Sequence, residues 1–101
     1  MMELQETTGM MCSADYKERF VAEYVQTKIR YERLKAFNTK IEAAHHMAFV
    51  KAVDAEDASP RVQMPKHDCP DELLRDQQRV MGEYLHILEL RAVIEGVVLP
   101  Q

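Results

Sequence analysis

Apolar positions fall into two long stretches, separated by an acidic segment that carries prolines. The first stretch, Tyr16 to Asn38, reads YKERFVAEYVQTKIRYERLKAFN. It has no Gly or Pro and consists mostly of good helix formers, so it predicts a continuous helix. At about 100° per residue its apolar side chains form two stripes. Phe20, Tyr24, Tyr31 and Leu34 make the first, with Thr27 as an interruption. Val21, Val25, Ile29 and Ala36 make the second, roughly 150° around the helix. Two basic edges run between them. One is Arg19, Gln26, Arg30 and Arg33; the other is Lys17, Lys28 and Lys35, beside Tyr24 and Tyr31. A helix apolar on two sides needs two partners, and one intramolecular contact covers only one stripe. Val21, Val25 and Ile29 are therefore expected at an oligomer interface.

The second stretch predicts a helix over about 70–95. Leu73, Leu74, Val80, Met81, Tyr84, Leu85, Ile87, Leu88 and Ile94 cover close to half its circumference, with Gln77 and Arg91 inside the apolar arc. Opposite them, Arg75, Arg79, Gly82 and His86 share a polar stripe. Cys69 suits the cap position, Pro70 the first helical position, and Asp71 and Glu72 the positive helix end. Gly96 is the stop signal, with Pro100 beyond.

Boundaries elsewhere are softer. Residues 1–13 show no periodicity and read as a mobile lead. The first helix starts at Asp15, where Glu18 completes a capping box. Thr39 followed by Glu42 repeats that pattern, which favours a helix over about 15–38, a break, and a short helix over 40–53. The rival is a single helix to about Val53. Residues 54–69 form a connector with Pro60 and Pro65. The fold class that follows is all-α: one domain over 14–101, an antiparallel helical hairpin with a possible short extra helix, oligomerising into a helical assembly.

Composition narrows the function classes. The chain has 101 residues, 47% of them hydrophobic, and a net charge of -4. Residues 15–40 hold seven Lys/Arg against four Asp/Glu, whereas 54–76 hold three against seven. Overall acidity argues against long nucleic acid, where affinity comes from many phosphate contacts. No window is apolar enough for a membrane span, and the start lacks a signal peptide's basic and apolar regions. Cys12 and Cys69 fit no metal or redox spacing, no disulfide within a protomer is expected, and a reducing cytoplasm is the consistent compartment. His45 and His46 point about 100° apart and cannot clamp one metal; with His67 and Cys69 they match no zinc spacing, so no metal is expected. Cys69 has no identifiable base, phosphate loops are absent, and no carboxylate pair sits in an acid/base frame, so no enzyme and no cofactor is expected. Arg91 needs a partner. It either pairs with Glu95, Glu23 or Glu32, or meets a ligand phosphate. Arginine forks hold phosphate oxygens and tyrosine faces stack on bases, so Lys28, Arg30 and Arg33 on helix 1 suit a nucleotide.

The blocks DYKERFVAEYVQTKIRYERLKAF and CPDELLRDQQRVMGEYLHILELRAVIEG together resemble the small helical hairpin proteins of crAss-like and other tailed phages. The same hairpin resembles the helical domain of phage sponges that counter cyclic-nucleotide defence, the anti-CBASS and one class of anti-Thoeris sponges. The resemblance implies a homo-oligomer, a hexamer, working in the cytoplasm of a bacterial host. It would cage cyclic di- or trinucleotides at subunit interfaces without cleaving them. In the matching blocks it implies ligand roles for Tyr16, Arg19, Gln77 and Arg91. The alternative is a non-catalytic helical oligomerisation or protein-interaction module of phage or prophage origin.

Overall fold

The computed structural model of the protein describes residues 3–53 and 64–100. Three helices follow a 3-10 turn at Leu4–Glu6: α1 at Thr7–Met11, α2 at Tyr16–Val53 and α3 at Asp71–Glu95. The described residues contain no strand. α2 and α3 pair antiparallel as a hairpin, with Tyr24 meeting Glu89 at one end and His45 meeting Asp71 at the other. The molecule measures 63 × 25 × 23 Å. Residues 54–63 of the expected connector lie outside the described residues.

α2 begins where its cap predicts. Asp15 Oδ1 accepts the Lys17 amide at 3.0 Å, which satisfies one of the orphan donors of the first turn. The break expected at Asn38 does not occur. Its two polar signals are used differently: the Asn38 side chain reaches across to α3, and Thr39 Oγ1 bonds back to the Lys35 carbonyl at 2.8 Å. Back-bonding of that kind belongs to a helix interior. With Ile41 and Ala44 buried beyond it, packing carries the helix past Asn38, and α2 runs on to Val53.

Much of the second stripe of α2 packs within the chain, although Ala36 is exposed; of the residues expected at an oligomer interface, Val25 is covered while Val21 and Ile29 are half-buried. Val25 is fully buried, and Val21 and Ile29 pack against the same core cluster. Their cover is the N-terminal segment and the tail after α3. Thr7, also fully buried, donates to the Leu4 carbonyl at 2.6 Å and accepts from Gln26 Nε2 at 2.8 Å. Residues 3–13 of the expected mobile lead are thus a turn and a short helix docked on α2. Ala22 of α2 is fully buried as well.

α3 starts one residue later than its sequence suggests. Pro70 occupies the cap position, its carbonyl taking the Leu73 amide at 3.1 Å, and Cys69 instead offers its carbonyl to His67. At the other end Gly96 adopts φ 72°, a left-handed turn that glycine takes without a Cβ penalty. The turn lets the Val97 amide reach the Ala92 carbonyl at 2.8 Å and sends Val97 into the core. Phe20, Tyr24, Val25, Leu85, Leu88, Ala92 and Val97 form that core.

Candidate functional site

A groove of about 350 Å³ opens between α2 and α3, toward the connector side of the core. Its position follows from one close approach. A Cβ added at Gly82 would stand 3.2 Å from Tyr31 Cε1, so glycine lets the Tyr31 ring lie against the α3 backbone. Asn38, buried, crosses the floor: its Nδ2 donates to the Leu74 carbonyl at 3.2 Å and to Gln78 Oε1 at 2.8 Å. Among the described residues the Gln78 amide nitrogen has no hydrogen-bond partner, which leaves it to a ligand.

Three cations line the groove, Lys35 from α2 and Arg75 and Arg79 from α3. Arg79 is held by Glu83 at 3.2 Å and lies 3.9 Å from Asp76. Among the described residues neither Lys35 nor Arg75 forms an ion pair. Glu42 and Asp71 close the far end. There Asp71 takes His45 Nε2 on one oxygen and His67 Nε2 on the other, each at 3.0 Å. His67 Nδ1 faces the Cys69 carbonyl at 2.6 Å. The hydrogen bond from His45 holds the Asp71 carboxyl below the ordinary carboxylate range; the charges of His67, His45 and Arg75 add to it against desolvation. Both Asp71 oxygens are therefore occupied by imidazole nitrogens. A ligand would meet Lys35 and Arg75, the exposed Glu42 carboxylate at the far end, and an aromatic ring and an amide beside them.

The residues singled out in the sequence lie elsewhere. None of Tyr16, Arg19, Lys28, Arg30, Arg33, Gln77 and Arg91 lines the groove. Arg19 donates to the Ser13 carbonyl at 2.6 Å, Lys28 Nζ stands 5.8 Å from the Tyr24 ring centre, and Arg30 and Arg33 are exposed. Gln77 sits between Leu73 and Val80 on the outer side of α3. Only Tyr16 and Arg91 come together, both on Glu95. Arg91 grips it with Nε at 2.7 Å and Nη2 at 3.4 Å while its guanidinium lies 4.9 Å over the Phe20 ring. That hydrogen bond is the main reason the Glu95 carboxyl is held below its usual range. Of the two roles open to Arg91, the geometry is that of the carboxylate pair. The groove's own residues were visible only in halves: the Arg75, Arg79, Gly82 stripe on one helix, and Tyr31 and Lys35 on the other. Joining them required the register of the hairpin. His45 and His67 meet on a carboxylate, and the described residues contain no cluster that would hold a metal.

Residues 14–94 match the model of a protein family described as Sequestin. The match runs from the residue before the α2 cap to the last turn of α3 and so includes every residue of the groove. No curated protein and no solved structure matches the chain.

Proposed function

Since the chain belongs to the Sequestin family, we propose that it sequesters a ligand, and that the ligand is a cyclic oligonucleotide immune signal held without cleavage. The family name denotes sequestration. The observation that supports a nucleotide is the groove itself, with unpaired Lys35 and Arg75, the Tyr31 ring and the Gln78 amide. Guanidinium and ammonium groups suit phosphate oxygens, a tyrosine face suits a base, and an amide suits a base edge. At about 350 Å³ the groove lies at the small end of ligand pockets. It suits one nucleotide unit, so a cyclic di- or trinucleotide would extend beyond a single groove toward a second copy. The biological setting that fits is phage anti-defence in the cytoplasm of a bacterial host, carried out by a homo-oligomer. The phage-sponge resemblance supports that setting, with a hexamer as the implied assembly. No helix of the described residues is long and apolar enough to cross a membrane.

Calorimetric titration with a panel of cyclic di- and trinucleotides tests the reading. At least one should bind below about 10 µM, roughly -7 kcal/mol, and should be recovered intact by mass spectrometry after the protein is denatured. Absence of binding across the panel would favour the second reading, a helical interaction module. That reading draws on the apolar outer face of α3, where Leu73, Val80, Ile87 and Ile94 are exposed.

A further inference from the structure

α3 carries two heptad seams, offset by one residue and so about 100° around the helix. One, through Leu74, Leu85, Leu88 and Ala92, faces α2. The other has no cover within the described residues. Leu73, Val80, Ile87 and Ile94 stand seven residues apart and are 57%, 51%, 52% and 82% exposed. Between them, at alternating spacings of four and three, stand Gln77, Tyr84 and Arg91. Apolar residues at every seventh position, with a second series filling the alternate places, are what one helix presents to another in a coiled coil. The four exposed apolar residues span about 32 Å at 1.5 Å per residue. Leu90, 51% exposed, borders the seam, three residues after Ile87 and four before Ile94. An exposed apolar face of that extent marks a contact surface.

The geometry points to a second copy of this chain as the occupant, seated on α3 in the antiparallel sense. Charge decides the direction. In a parallel pair Arg91 would stack on its own equivalent. In an antiparallel pair centred between Tyr84 and Ile87, Tyr84 faces Ile87, Gln77 faces Ile94, and Arg91 faces Val80 of the second copy. Val80 is flanked at -4 and +3 by Asp76 and Glu83, so each Arg91, which in its own protomer holds Glu95 and lies over Phe20, gains two further carboxylates across the seam. Both carboxylates are exposed, and among the described residues their ion pairs are with Arg79. Polar groups at alternate seam positions fix register at some cost in affinity; Tyr84 already donates to Glu23 at 2.6 Å and Arg91 to Glu95 within the protomer, so Gln77 is the seam position that meets the second copy with its polar group uncommitted among the described residues. The contact rests on the homo-oligomer reading only in requiring a second copy; it is independent of any ligand.

Sedimentation velocity on the full chain, from micromolar to hundred-micromolar concentration, tests it. The wild type should associate reversibly. Ile87→Glu should be a monomer with unchanged helical circular dichroism, because Ile87 lies outside the core. Arg91→Glu should weaken association at least tenfold. Adding Asp76→Arg and Glu83→Arg to the same chain should restore it. A wild type that stays monomeric would overturn the proposal, whether or not it then binds lipid vesicles or another protein. Oligomers untouched by Ile87→Glu would overturn the assignment to α3 while leaving self-association standing. Failure of the triple variant to recover, with its helicity intact, would overturn the antiparallel pairing.

Discussion

Tyr24 is the side chain on which burial and charge act together. It is 4% exposed, and its hydroxyl donates to Glu89 Oε2 at 2.8 Å. Burial, followed by the hydrogen bond and charge of Glu89, pushes its pKa up to about 12 from an ordinary 10.0. A raised folded-state pKa gives stability that is complete below the unfolded value and lost as pH rises through the folded one. The fold should therefore weaken between pH 10.0 and about 12. Tyr24→Phe should remove that part of the alkaline decline, at a cost near neutral pH of about 1 kcal/mol for the lost hydrogen bond. Circular dichroism melts of both chains across the alkaline range would show it. If the two alkaline limbs coincide, Tyr24 is not the titrating group. Arg91 makes the opposite case. Its pair with Glu95 is half exposed, and surface pairs of that kind add little to stability.

Among the elements, the helices were legible and their ends less so. Periodicity and helix formers locate α3, and Gly96 stops it as the sequence implies. The continuity of α2 through Asn38 was not legible, because Asn and Thr signal a cap only when no tertiary acceptor competes for them. Leu74 and Gln78 compete for Asn38, and sequence places them 36 and 40 residues away. The short helix α1, which packs on α2, was not legible because at five residues it is too short to show a period of its own. Asn38→Ala should cost about 1–3 kcal/mol, the range for stranding buried polar groups, without splitting α2. Urea unfolding with backbone chemical shifts would register both. A helix that breaks at residue 38 in the variant would mean that Asn38, not packing, holds the two halves in line.

For the whole molecule, the groove exists only because two polar edges, one from each helix, are brought into register. If it captures nucleotides, Arg75→Ala should weaken binding by about 1.5–3 kcal/mol, the range for a hydrogen bond to a charged group. Melting temperature should hardly move, since Arg75 has no ion-pair partner among the described residues. Equal affinity in the variant would place capture elsewhere. The distribution of the core carries a further consequence. Large buried apolar side chains gather at the Phe20 and Ala92 end, whereas toward the connector burial narrows to Ile41, Ala44 and Asn38. Local opening follows the density of such contacts. In heavy water, the amides of the first turns of α3 should therefore trade their protons sooner than those around Leu85 to Ala92. The groove lies in the less protected half. A bound nucleotide would add its own free energy there and little elsewhere, so occupancy would appear as a brake on exchange confined to that half. Capture and stiffening would then be a single event, and amide exchange could report a ligand before its identity is known.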